Sequence, residues 1–158
     1  SSGTPALGVG VGNAVITVDE TADLDDAAEK IRISKTLDLA ASCSSDNSVV
    51  LLDAIYDEML EKLVQQGGYI VNADEKKKLE GTIWVDGHIN ANAVAQTAEK
   101  IAGMAGFGIP EGKVFFIVPE TGAGPDYPFS GEKMTVTMAL YRAKGFGRSR
   151  IELATAMI

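Results

Sequence analysis

Cysteine and histidine each occur once in the 158 residues, as Cys43 and His88. A lone cysteine cannot close an internal disulfide, so nothing in the thiol content points to an oxidising compartment. A structural zinc site takes four ligands, which one thiol and one imidazole do not supply, and no metal site is expected. Positive charge is also short, with 14 Lys and Arg against 22 Asp and Glu for a net charge of −8. Nucleic-acid binding needs clustered cations that displace counterions from phosphates, so nucleic acid is not an expected partner. Long apolar runs are missing too. Stretches such as Val114-Phe-Phe-Ile-Val118 fall far below the ~20 residues that cross a bilayer. The start Ser1-Ser-Gly-Thr-Pro5 lacks the basic and apolar regions of a signal peptide. No membrane partner and a cytoplasmic location are the expectations.

What remains is ordinary globular material, 46% hydrophobic and 23% charged, in a length that suits one domain with a single core. Asn13 to Val18 reads as a strand rich in β-branched residues. Leu24, Ala27, Ala28, Ile31 and Leu37 recur at helical spacing, which predicts a helix from about Leu24 to Ala41. Six small polar or thiol residues, Ser42 to Asn47, then form a turn before the apolar run Ser48 to Leu52. Asp53 is placed to cap a helix whose apolar face is Ile55, Met59, Leu60, Leu63 and Val64, and Gly67-Gly68 supplies its left-handed stop.

Tyr69 to Val71 predicts a short strand, Asp74 to Glu80 a short basic helix, and Thr82 to Val85 another strand. Asn92 to Ala105 carries apolar residues on one helical face and closes at Gly106. Lys113 to Val118 and Met134 to Tyr141 complete the strands, separated by a loop rich in glycine and proline from Glu120 to Gly131. Such alternation predicts the α/β class: a three-layer domain whose helices cover a largely parallel sheet. The sheet is expected near residues 14–18, 48–52, 82–85, 113–118 and 136–141.

Cys43 is the first candidate for chemistry, because a thiolate is a strong nucleophile and needs an accessible turn rather than a packed core. Its small polar neighbours favour the turn, although a lone cysteine also serves as a small buried hydrophobe. His88 lies in Asp86-Gly-His-Ile-Asn90, a surface-turn composition, and is not assigned to catalysis. Gly8-Val-Gly-Val-Gly12 precedes a strand, whereas a dinucleotide fingerprint follows one and opens a helix, so the run is not a Rossmann motif. Lys76-Lys77-Lys78 reads as a solvated helix face.

Taken together, Gly3 to Asn13, Ser34-Lys-Thr-Leu-Asp38, Ser42 to Val49, Ala98 to Phe107 and Gly131 to Lys144 resemble, in order and spacing, the catalytic domain of CoA-acylating aldehyde dehydrogenases. The resemblance covers residues 1–146. It implies that Cys43 attacks the aldehyde, that a hydride passes to NAD or NADP, and that coenzyme A then takes the acyl group. It also implies that Glu132 holds the nicotinamide ribose through its hydroxyls. Hydrolytic relatives carry a glutamate base in the glycine segment that activates water. Ala6 to Asn13 has no carboxylate, which favours thiolysis. The substrate is expected to be a small aldehyde, of the succinate semialdehyde or sulfoacetaldehyde type, and the enzyme a homo-oligomer.

Most of the family's nucleotide-binding domain is not in these 158 residues, and residues 147–158 do not align with the family. Two other readings therefore stand beside the enzyme: a folded, self-associating module without catalysis, and an acyl-phosphate reductase of the same superfamily.

Overall fold

The computed structural model describes residues 12–145. Five strands, β1 (Ala14–Val18), β2 (Asp46–Leu52), β3 (Gly68–Ile70), β6 (Phe115–Pro119) and β7 (Thr137–Ala143), form a wholly parallel sheet in the order β1-β2-β7-β6-β3. The chain moves one way across the sheet from β1 to β3 and comes back through β6 and β7. Right-handed crossovers then place the connections of the two directions on opposite faces. Accordingly α1 (Leu24–Thr36) packs with α2 (Tyr56–Gln65), and α3 (Ala73–Ile83) packs with α4 (Ala98–Ala105). A sheet covered on both faces needs apolar side chains on both, and every residue of β2 is buried. The expected three-layer α/β domain is what forms.

Local chemistry explains most boundaries. Asp23 caps α1 by accepting from the amides of Asp25 and Asp26, and Asn72 with Glu75 closes a reciprocal capping box on α3. Gly67, at φ +94°, ends α2, and Gly106, at φ +74°, ends α4. Gly68 is needed for a different reason. A Cβ there would lie 2.6 Å from Ile117 Cδ1 and 2.8 Å from the Leu63 carbonyl oxygen. That contact is with backbone as well as side chain, so Gly68→Ala is expected to cost about 2 kcal/mol and to lower Tm by roughly 6 °C. Thermal unfolding followed by circular dichroism checks it, and an unchanged Tm would show that β3 shifts freely.

Five expectations change in detail. The helix expected to reach Ala41 stops at Thr36, because Asp38, Leu39 and Ala40 all take positive φ in the short helical turn 37–40. Asp53 caps nothing. α2 begins at Tyr56 without a side-chain cap, and the Asp53 carboxylate accepts from Arg142. Residues 82–85 are not a strand of the sheet: Thr82 and Ile83 end α3, while β4 (Trp84–Val85) pairs antiparallel with β5 (His88–Ile89) through the two-residue turn Asp86-Gly87, both at positive φ. The edge of the sheet falls instead to β3, beside Tyr69. The helix expected from Asn92 starts only at Ala98, capped by Thr97. Finally, Lys76 is not simply solvated, since it pairs at 2.7 Å with the buried carboxylate of Glu120.

Candidate active site

The connection from α1 to β2 carries the only thiol. The Ser45 amide donates to the Ser42 carbonyl at 3.0 Å, closing a tight turn with Cys43 and Ser44 at its tip. Cys43 is exposed. The hydroxyls of Ser42 and Ser44 bond each other at 2.8 Å, so the flanking polar groups are satisfied within the turn. The turn precedes the first residues of β2, and Cys43 therefore stands at the edge where the parallel strands begin.

That turn is fastened to the end of α1. The Asp46 amide donates to Ser34 Oγ at 3.2 Å, Ser45 Oγ donates to the Ser34 carbonyl at 3.2 Å, and Lys35 Nζ donates to the Asp46 carbonyl at 2.8 Å. Lys35 is fully buried. Loss of hydration drives its pKa down to about 7, against the smaller opposing pull of Asp46. The same burial holds the Asp46 carboxyl above its ordinary range, with Ser34 and Lys35 acting the other way.

Two further segments come to the same edge. Asn13 Nδ2 donates to the Ser130 carbonyl at 2.8 Å, joining the approach to β1 with the end of the glycine- and proline-rich loop. The Lys133 amide donates to Asn47 Oδ1 at 3.3 Å, joining that loop to the start of β2. Glu132, half-buried, lies between these contacts. Asn13, the residues that follow the Cys43 turn and the Glu132 segment thus come to the starting ends of β1, β2 and β7.

His88 is exposed in the β4–β5 hairpin, as its flanking residues suggested. Of Gly8 to Gly12 only Gly12 lies within the described residues, and the tail 147–158 lies outside them. Among the described residues no group of three or more His, Cys, Asp or Glu side chains is placed to hold a metal ion. None of their helices is long and apolar enough to cross a membrane.

The sequence did not single out Lys35, Asn47 and Lys133, whose hydrogen bonds reach the segments next to Cys43 and Glu132. A signal for Lys35 was present: it falls in phase with Ala28 and Ile31 on the buried face of α1, where a lysine does not belong without a reason. Lys133 had no such signal, because its burial comes from the loop 120–131 folding over it.

The fold and site together are those of a parallel α/β domain with an exposed thiol in the turn before its second strand, β2. No family model matches the chain. Over 146 residues, 91% of its length, it is 46% identical to sulfoacetaldehyde dehydrogenase (acylating) of Cupriavidus necator, of which it covers 30%. It is 42% identical over 92% of its length to the bifunctional aldehyde-alcohol dehydrogenase of Escherichia coli, of which it covers 16%. The crystal structure of an acetylating aldehyde dehydrogenase from Geobacillus thermoglucosidasius superposes with a TM-score of 0.93 at 37% identity, over 99% of this chain and 34% of that one. The chain belongs to the CoA-acylating aldehyde dehydrogenase family and matches its catalytic domain. It spans between 16% and 34% of the length of these relatives.

Proposed function

We propose that this chain supplies the nucleophile of an enzyme that oxidises a short aldehyde to an acyl-CoA with NAD or NADP. The observation that carries the reading is the exposed Cys43 at the tip of the 42–45 turn, on the sheet edge where the Asn13 and Glu132 segments converge. A thiolate there attacks the aldehyde carbon, forming a carbon–sulfur bond and leaving the former carbonyl oxygen to take a proton as a thiohemiacetal. A bound nicotinamide would supply the acceptor for the hydride that leaves that carbon, while the hydroxyl proton goes to solvent and the thioester forms; the thiol of coenzyme A would then take the acyl group, its proton passing to the released sulfur of Cys43. Glu132 is partly exposed and faces no competing ion pair among the described residues, which suits a carboxylate that accepts from two ribose hydroxyls.

The aldehyde is of the small anionic kind, such as sulfoacetaldehyde, after the Cupriavidus relative. Residues 1–146 act as the catalytic domain, beside a nucleotide-binding domain that the complete enzyme would supply. Self-association belongs to the same reading, and Ile33 and Leu37, both exposed at the end of α1, offer apolar surface for it. Rates of the complete dehydrogenase across a panel of aldehydes, with and without coenzyme A, test the proposal. Aldehyde oxidation that does not respond to coenzyme A would sink it.

In the folded chain, iodoacetamide is expected to alkylate Cys43 fully without denaturant. Mass spectrometry after timed quenching checks this. Protection that lifts only on unfolding would make Cys43 a packing residue.

A further inference from the structure

Buried cations are ordinarily paired with carboxylates, because the loss of hydration is otherwise uncompensated. Lys35 and Lys133 are both fully buried, and among the described residues neither forms an ion pair. Each spends its donors on backbone carbonyls instead. Lys35 holds the carbonyl of Asp46, just beyond the Cys43 turn. Lys133 holds the carbonyls of Phe129 at 2.5 Å and of Gly131 at 2.7 Å, the latter directly before Glu132. The two loops lead into the neighbouring strands β2 and β7, and the contact between the Lys133 amide and Asn47 Oδ1 ties one to the other. The lysines also feel each other: burial first, and the Lys35 charge second, hold the Lys133 amine well below its usual range, against the weaker opposing pull of Glu120 and Glu132, neither of which pairs with it directly.

We propose that Lys35 and Lys133 are positioning residues: two buried lysines that fix the backbone on either side of the site, with Asn47 joining them, so that the Cys43 turn and the Glu132 turn keep one separation. The inference rests on the roles proposed above for Cys43 and Glu132. A turn of small polar residues such as Ser42-Cys-Ser-Ser45 has little side-chain packing of its own, and reacting groups tolerate little displacement. A shift of ~1 Å can cost about 100-fold in rate. Carbonyl anchoring by a long buried side chain fixes such a turn from below while leaving its tip open to substrate.

The assignment divides the work between the two residues. Lys35→Met keeps the apolar stem and removes the donor beside the Cys43 turn. In the complete dehydrogenase it is expected to slow the single-turnover formation of the acyl-enzyme by at least about tenfold, with the nucleotide dissociation constant unchanged. Lys133→Met is expected to do the reverse first, weakening nucleotide binding by roughly tenfold through a displaced Glu132. Asn47→Ala, which leaves both amines in place, is expected to impair both readouts by about threefold. Circular dichroism and Tm establish that each variant is folded.

Folded Met variants with wild-type acylation rates and nucleotide affinities would overturn the inference. So would losses that are the same in both readouts for both lysines, since that pattern reports general loosening of the domain. Should a Met variant not fold, Asn47→Ala decides alone: an effect in both readouts at an unchanged Tm supports the clamp, and no effect, or one that comes with a lowered Tm, overturns it. The two readings fail separately. Turnover abolished by Cys43→Ala but untouched by the three variants refutes only the positioning roles, whereas turnover that survives Cys43→Ala refutes the covalent mechanism.

Discussion

Replacing Cys43 by alanine in the complete dehydrogenase is expected to lower acyl-CoA formation by at least about 10⁴-fold, because without the sulfur there is no covalent route to the thioester. Nucleotide affinity should be unchanged, since the thiol acts only in the chemical steps. Stability should stay within about 0.5 kcal/mol of the parent, as for other exposed substitutions away from packing or caps. The structural basis is the exposure of Cys43 and the self-contained hydrogen bonding of its turn, where the serine hydroxyls bond each other and the backbone closes from Ser45 to Ser42. Acyl-CoA formation followed by thioester absorbance, together with nucleotide titration, reads both halves of this expectation. Intact turnover would exclude Cys43 as the nucleophile. A stability loss of roughly 2 kcal/mol or more, the size of a core cavity, would show that the side chain is packed.

The second large effect concerns stability and pH. The folded chain holds Lys35 at a pKa of about 7, whereas the ordinary lysine value is 10.5. Between those values the unfolded chain binds the extra proton, so stability rises with pH across that window and the penalty is present in full below pH 7. In full it is on the order of 5 kcal/mol. Lys133 acts in the same direction, its pKa being lowered by burial and then by Lys35. Asp46, whose carboxyl is raised by burial, works in the acid range, where its extra folded-state proton makes stability fall as pH rises. Lys35→Met should therefore flatten the rise between pH 7 and pH 10. At pH 7 it should be at least as stable as the parent, because a buried charge gives way to an apolar chain of similar length. Denaturant unfolding at pH 7, 8, 9 and 10 provides the comparison. Parallel curves for parent and variant would mean that Lys35 is charged in both states. A variant that is more stable yet slower in acylation would separate a positioning role from a stabilising one.

Much of this could be read from the chain alone. Alternation of apolar stripes and β-branched runs identified the α/β class, because a sheet with both faces covered must be apolar throughout. The short-range signals at Gly67 and Gly106 placed helix ends correctly, since a left-handed residue is a local requirement. The polar string around Cys43 marked an exposed turn, and five separated segments carried the family.

Other features depended on partners far along the chain. Trp84 and Val85 have the composition of a sheet strand, but the Asp86-Gly87 turn folds them onto His88 and Ile89, and β3 takes the edge. Leu37 to Ala40 continues the helical stripe of α1, yet Asp38, Leu39 and Ala40 turn left-handed, where the chain reverses toward β2. The contacts that tie together the starting ends of β1, β2 and β7 were decided last of all. Lys133 is buried by a loop that begins at Glu120, Asn47 finds its donor 86 residues away, and Asn13 reaches Ser130 across 117. Periodicity and spacing describe what a residue prefers among its neighbours, and so they determined the class of fold and the exposed turn that carries Cys43. Which buried lysine holds which carbonyl was settled only when β1, β2 and β7 lined up their starting ends, because a hydrogen bond between distant segments has no imprint in either segment by itself.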